Sequence, residues 1–183
     1  LFYILSNFDS VVLESVDSNN LIELTKISSD WMITKPYRWQ GNKLALSNFQ
    51  TKLSHFNFEK LYELSELKLK GEILEDYGIN VSSPRIKLSS NEEFLELRIG
   101  NVTRDEDSCY ILANISRLNK KFIFKTDKEI INFSQTLPKD WTEGSFIKTP
   151  LYAIDNVSVT FGDNADILNH TRLTKVDQKW HFT

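Results

Sequence analysis

Residues 11–34 read "VVLESVDSNNLIELTKISSDWMIT". Apolar and polar residues alternate through "VVLESV", "LIELTKI" and "WMIT", the period of strands that bury one face. The clusters "DSNN" and "SSD" between them carry Asn, Asp and Ser, residues that tolerate the backbone of tight turns. The stretch therefore predicts a three-stranded antiparallel meander. Pro36 closes it, because proline has no N–H to give to a ladder.

The same spelling returns at the other end of the chain. Residues 156–183, "NVSVTFGDNADILNHTRLTKVDQKWHFT", match the first stretch strand for strand. Val157 corresponds to Val11, the polar turn "GDNAD" to "DSNN", and Trp180 to Trp31. Trp31 and Trp180 are accordingly read as one repeated structural position, a large ring placed to cover the end of an adjacent helix. A shallow ligand platform is the competing reading of the same two rings.

Between the two copies the period changes more than once. After Gly41, the apolar residues Leu46, Phe49, Leu53 and Phe56 recur at three, four and three, which places them on one face of a helix. Asn42 is its expected N-cap. "EKLYELSELKL" continues as a second helix or a twisted extension, and "EILEDYG" reads as a helical turn ended by Gly78 in the left-handed region. Four strands follow, "RIKLS", "FLELRIG", "CYILANI" and "KFIFK". Then comes a helix over "TDKEIINFSQTL", opened by Thr126 and Glu129 at capping-box spacing and stopped by Pro138.

The expected architecture is α+β, with successive antiparallel β-meander plus helix units and the helices packed on one face of the sheets. Three units are expected, over residues 1–82, 83–145 and 146–183, the last being the start of a third meander that repeats residues 11–34. The helix that follows the other meanders is expected beyond Thr183. Leu1 to Leu5, "LFYIL", is expected as an apolar strand that helps to shield the third meander.

Composition narrows the function classes. The 183 residues carry a formal net charge of -3 with 26% charged residues, so no basic excess draws in phosphate backbones and nucleic acid is not an expected partner. The single cysteine, Cys109, lies in the apolar run "CYILANI" and is read as a buried structural residue. No stretch reaches the roughly 20 apolar residues of a membrane span. Leu1 stands without an initiator Met, which reads as the interior of a longer protein with any anchor upstream.

No motif specifies a reaction. There is no nucleophile elbow and no glycine-rich phosphate loop, and the six glycines stand singly. No catalytic residue, cofactor or metal is expected. His170 and His181 fall in neighbouring strands of the last meander but lack the further ligands of a zinc site, and His55 stands in the long helix. "RDEDS" at 104–108 and "GDNAD" at 162–166 gather carboxylates without the calcium-loop spacing, so both read as solvated turns. The triplet Tyr37, Arg38 and Trp39 is the candidate partner contact, since aromatics flanking an Arg favour protein interfaces. The bland reading is that Tyr37 and Trp39 staple their loop to the helix.

Several segments together resemble the bacterial family known as domain of unknown function 4340. They are "WMITKP" (31–36) before a helix, "LEDYGI" (74–79) followed by Pro84, "RIG" (98–100), "YIL" (110–112), "FIF" (122–124), and the restart "AIDNVSVTF" ending in "WHFT" (180–183). The resemblance implies an extracytoplasmic domain, periplasmic or at the cell surface, tethered by an N-terminal membrane segment outside these residues. It further implies a non-enzymatic auxiliary role in an ABC-type transport or gliding-motility-type system, with membrane transporter subunits as partners. A peptide- or glycan-binding module is the alternative expectation, and an enzyme of unknown class the third.

Overall fold

The first meander forms as the alternation requires, and it is joined to far more of the chain than its own helix. In the computed structural model, which describes residues 2–16, 20–144, 153–161, 169–176 and 179–182, strands β1 (Ser10–Glu14), β2 (Leu21–Ile27) and β3 (Asp30–Lys35) pair antiparallel in sequence order. A two-residue strand β4 (Trp39–Gln40) flanks β3 after the cis Lys35–Pro36 peptide. Helix α2 (Lys43–His55) follows a short N-terminal helix, α1 (Phe2–Ser6). Asn42 caps α2 as expected, its side-chain oxygen accepting from the Leu44 and Ala45 amides at 3.0 and 3.1 Å.

Next come strand β5 (Glu59–Glu63), helix α3 (Leu64–Lys70) and a 3-10 turn over Leu74–Tyr77. Strands β6 (Arg85–Ser90), β7 (Glu93–Val102), β8 (Ser108–Ile115) and β9 (Lys120–Asp127) form a second meander, and helix α4 (Ile130–Ser134) succeeds it. All nine strands belong to one sheet, in the order β4-β3-β2-β1-β6-β7-β8-β9-β5. The chain divides into two compact units, residues 1–144 and 145–183. Within the first, β1 pairs with β6 across residues 82 and 83, so strands from both expected units share hydrogen bonds in a single sheet.

The register explains the core. Ile22 lies opposite Leu13, Leu13 opposite Ile86, Ile86 opposite Leu97, Leu97 opposite Ala113, and Ala113 opposite Phe122. This apolar row crosses six strands on one face of the sheet, and every member is buried. Residues two apart along a strand share a face, so Val11, Leu24, Leu88, Leu95 and Ile115 make a second such row. Over these rows lie Ile4 and Leu5 of α1, Leu46, Phe49 and Leu53 of α2, and Ile130 of α4. Phe49 is their aromatic centre, with ring centroids 6.1 Å from Phe8, 4.7 Å from Phe133 and 5.3 Å from Trp141.

The opposite face carries its own cover. Leu112 and Ile123, each next in sequence to a residue of the first core, turn outward and meet Leu67 of α3 with Tyr77 and Ile79. The helices are therefore divided: α1, α2 and α4 on one face, α3 and the 3-10 turn on the other. A short second core forms because β8 and β9 are apolar on both faces, unlike β1, β6 and β7, whose outward residues include Glu14, Arg85, Lys87, Glu96 and Arg98.

Local structure departs from expectation at three further places. Leu1 to Leu5 was expected as a strand, but residues 2–6 are helical, because Ile4 and Leu5 at adjacent positions can both sink into the core only from a helix. "EKLYE", expected to open a second helix or a twisted extension, is strand, since pairing with β9 supplies the ladder that local propensity does not. Thr126 belongs to β9, buried on Ile130's side of the hairpin, and its hydroxyl has no partner; Glu129 gives α4 no side-chain cap. Pro138 then opens a 3-10 turn over Pro138–Trp141.

The second unit contains strands β10 (Asn156–Phe161), β11 (Asn169–Val176) and β12 (Lys179–Phe182), paired antiparallel in that order. The turn "GDNAD" lies outside the described residues.

Replacing Phe49 with Ala empties the site beneath three rings and is expected to cost about 3–5 kcal/mol. Urea unfolding of Phe49→Ala beside wild type measures it, and an unchanged midpoint would refute this account of the core.

Candidate functional site

One end of the large sheet is open. β6 starts only at Arg85, whereas its neighbour β7 runs on past Ile99, whose amide donates to the Pro84 carbonyl at 2.9 Å. Beyond that bond β7 continues through Gly100 and Asn101 while the preceding chain turns away through residues 78–83. The gap is a cleft of about 590 Å³, bounded by the end of β1, residues 78–84, the Gly100–Asn101 stretch and α4.

Two glycines set its wall. A Cβ at Gly100 would lie 2.2 Å from the Tyr77 carbonyl oxygen, so only glycine lets the 3-10 turn rest on β7. Gly78 holds φ at 69° and ends that turn, as its place in "LEDYG" predicts. The Asn80 side-chain oxygen accepts the Ser82 amide at 2.8 Å, and Ser83 Oγ accepts the Asn80 amide at 2.9 Å, which fixes the loop above the cleft. On the far wall, Asn20 Nδ2 donates to the Thr136 carbonyl at 3.2 Å.

The lining is polar but uncharged. Its functional groups are the side-chain amides of Asn20, Asn80, Asn101 and Gln135 and the hydroxyls of Ser15, Ser82, Ser83 and Ser134, with Val16, Pro84 and Ile131 among them. No aromatic or ionised side chain stands among the described lining residues. Charge begins next door, in a recess of about 300 Å³ that shares Ser15, Val16, Ser82 and Ser83 with the cleft. There Arg85 reaches Glu14 at 2.5 Å and Glu96 at 3.6 Å, and Arg98 Nε donates to Glu96 at 3.0 Å. Two cations and two anions balance, so the recess is polar without a strong sign. Sequence reading passed over this site because its residues are common types scattered over Ser15 to Gln135; only the singular Gly78 and Gly100 signalled a close backbone approach.

The candidate partner contact looks different in three dimensions. Tyr37 and Trp39 are 43% and 37% exposed, yet their polar tips are engaged: Tyr37 Oη lies 3.0 Å from Thr142 Oγ1, and Trp39 Nε1 donates to the Glu143 carbonyl at 3.2 Å. The pair ties residues 142–143 to the entry of α2, assisted by the bond from the Gly41 amide to Trp31 at 2.8 Å and by that from Asn42 to Trp141 at 2.8 Å. Arg38 is exposed beside them. The geometry favours the stapling role while leaving the ring faces half open.

Trp31 and Trp180 both lie in the third strand of a meander, each opposite a lysine, Lys26 and Lys175. Trp31 is half-buried against the core with its ring 5.8 Å from Phe8, whereas Trp180 is 42% exposed, so the burial expected of both is met in part by the first and not by the second. His55 is exposed with Nδ1 2.7 Å from the Thr51 carbonyl, and His181 is exposed in β12; the side chain of His170 lies outside the described residues.

The acidic loop of the β7–β8 hairpin is internally satisfied. Asp105 accepts from the Thr103 hydroxyl, from Lys125 Nζ at 3.0 Å and from the Asp107 amide at 3.3 Å. The Thr103 hydroxyl, then Lys125, hold its carboxyl down at about 2. Cys109 is buried, and burial pushes its thiol up to about 12, with the nearby Asp127 carboxylate adding to it. That thiol is inert at neutral pH. Burial and the hydrogen bond to Glu72 raise Tyr77 likewise.

No protein-family model matches the chain, and neither a curated protein nor a solved structure matches it.

Because the folded-state value of Asp105 lies below its ordinary 3.8, its contribution to stability is complete above that value and is lost as pH falls toward about 2. The stability gap between wild type and Asp105→Asn, followed by urea unfolding, should shrink across that interval. A gap that stays constant from neutral pH into that acid range would contradict the hairpin geometry.

Proposed function

We propose that this chain is a non-enzymatic binding module whose cleft takes an extended, uncharged stretch of polypeptide. The observation that carries the reading is the lining: four side-chain amides and four hydroxyls around one opening, with no ionised group among the described residues. A primary amide offers one acceptor and two donors, the complement of a peptide bond, so such groups grip a backbone whatever its side chains. Apolar Val16, Pro84 and Ile131 add surface for small side chains. A glycan is the less suited ligand, because sugar rings are commonly held on aromatic faces and none lines the cleft among the described residues.

The resemblance to the family named above supports the setting: an extracytoplasmic module, membrane-tethered through a segment outside these residues and auxiliary to an ABC-type transport or gliding-motility-type system. In that setting the bound polypeptide belongs to a transporter subunit or to a protein that it handles.

An array of blocked peptides built from Gly, Ala, Ser and Asn, with a glycan array beside it, tests the reading. Peptide binding at micromolar to millimolar affinity is expected, weakened about tenfold or more by Asn101→Leu or Gln135→Leu, since each leaves a peptide group unpaired. Blank peptide arrays, or binding that ignores both substitutions, would remove the proposal.

A further inference from the structure

β7 is paired unequally along its length. Its ladder with β8 runs to Val102 opposite Cys109, whereas its ladder with β6 ends at Arg98 opposite Arg85. On the other side of β6, the ladder with β1 ends at Glu14 opposite the same Arg85, and Ser15 and Val16 beyond it line the cleft. The cleft therefore continues the line of β6, between the ends of β1 and β7. It is bounded by Ile131 and Ser134 of α4 on the side of the first core, and by residues that follow the 3-10 turn on the other. β1 and β7 each stand one ladder spacing, about 4.8 Å, from β6, so the opening between their ends has the width of one strand.

The main chain of β7 is open toward this slot. Successive residues of a strand turn their N–H and C=O groups to opposite sides. Ile99 faces β6, its amide donating to the Pro84 carbonyl at 2.9 Å, but proline has no N–H to return, so β6 leaves the Ile99 carbonyl without a donor. Thr103 faces β8, its amide donating to the Ser108 carbonyl at 2.9 Å. Val102 before it therefore faces the side of the slot again, the register shift between Ile99 and Val102 taking up the odd residue. The neighbouring loop spends its donors on itself. The Ile79 amide donates to the Leu74 carbonyl, the Ser83 amide to the Asn80 carbonyl, and the Asn80 and Ser82 amides to the Ser83 and Asn80 side chains, while Val81 is 92% exposed.

We propose that the polypeptide held by the cleft adds itself to β7 as a strand, exchanging main-chain hydrogen bonds with Val102 and offering an N–H to the Ile99 carbonyl. The inference rests on the peptide reading of the cleft and supplies its binding mode. Side-chain amides grip a backbone from around it, whereas a ladder grips its edge, so both act on one occupant. The ligand class narrows to an extended segment with free N–H groups, and runs of proline or N-methyl residues, which have none, are refused. Pro84 gains a role in the same scheme: it stops the chain's own residues from prolonging β6 into the slot.

Amide hydrogen exchange of the full 183-residue chain, followed by NMR while a blocked peptide of alternating alanine and serine is titrated in, tests the proposal. In the free chain the Val102 amide is expected to exchange faster than the Thr103 amide, which is already bonded to Ser108. At saturation Val102 is expected to slow about tenfold or more, with Thr103 unchanged. The same peptide N-methylated at every residue is expected to bind about tenfold or more weakly. A Val102 amide protected as strongly as Thr103 before any peptide is added would overturn the proposal, since its donor would already be taken. Binding that responds to Asn101→Leu and Gln135→Leu yet leaves Val102 exchange unchanged would overturn the added strand and keep the peptide reading. Equal binding of the N-methylated peptide would do the same. A peptide that fails to bind up to ~1 mM would remove both.

Discussion

β1 is the strand on which the larger unit depends. Five residues long, it pairs with β2 on one side and β6 on the other, and among the described strands it alone joins the ladder of the first meander to that of the second. Its Leu13 is flanked on both sides in the apolar row from Ile22 to Phe122, and its Val11 likewise in the parallel row. A slip of one residue would turn both out to solvent and bring Val12 and Glu14 under α2. The register is fixed because Val11 and Leu13 each meet buried partners on both flanking strands, Leu24 and Leu88 for the one, Ile22 and Ile86 for the other. Bringing β6 beside β1 closes a long loop, and the doubly flanked burial of those two side chains offsets that entropy.

The cleft follows from the same arrangement. Where β6 ends and β7 continues, the sheet cannot complete its ladder, and the chain must fill the gap with a turn that lies close to β7. Gly100 makes that approach sterically open, while the Asn80, Ser82 and Ser83 bonds hold the turn rigid. The polar groups that remain are uncharged, whereas the sheet surface immediately outside carries paired arginines and glutamates. The uncharged lining of the cleft and the charged surface beside it thus have a single structural origin, namely the early end of one strand.

What could be read from the sequence was whatever has a local cause. Alternation gave the strands of both meanders, the three-four-three spacing gave α2, the Asn42 amide gave its cap, and Gly78 gave the end of the 3-10 turn. What could not be read has distant causes. "EKLYE" carries no clear period because an edge strand paired with β9 has its partner some sixty residues away (Tyr62 opposite Ile123). Leu1 to Leu5 is apolar enough for strand or helix, and only the space beside α2 decides. α3 falls inside the stretch read as a second helix, and only its start is displaced, because Leu61, Leu64 and Leu67 suit one helix as well as a strand followed by a helix. Beyond Gly78 and Gly100 the cleft has no sequence signature, since amides and hydroxyls become a site only when four separate segments meet.

The two margins of the large sheet differ from those of the small one in a way that bears on behaviour at high concentration. β4 is two residues long and its Gln40 carbonyl already accepts the Glu143 amide, and β5 presents Glu59, Lys60 and Glu63 along a strand that breaks register against β9. Neither invites a foreign strand, because a short margin gives few hydrogen bonds and a charged, irregular one repels its own copy. β10, with "NVSVTF", is longer and almost free of charge. Any fibrous or strand-exchanged association of this protein would therefore start there, and a single lysine in place of Ser158 would be enough to oppose it.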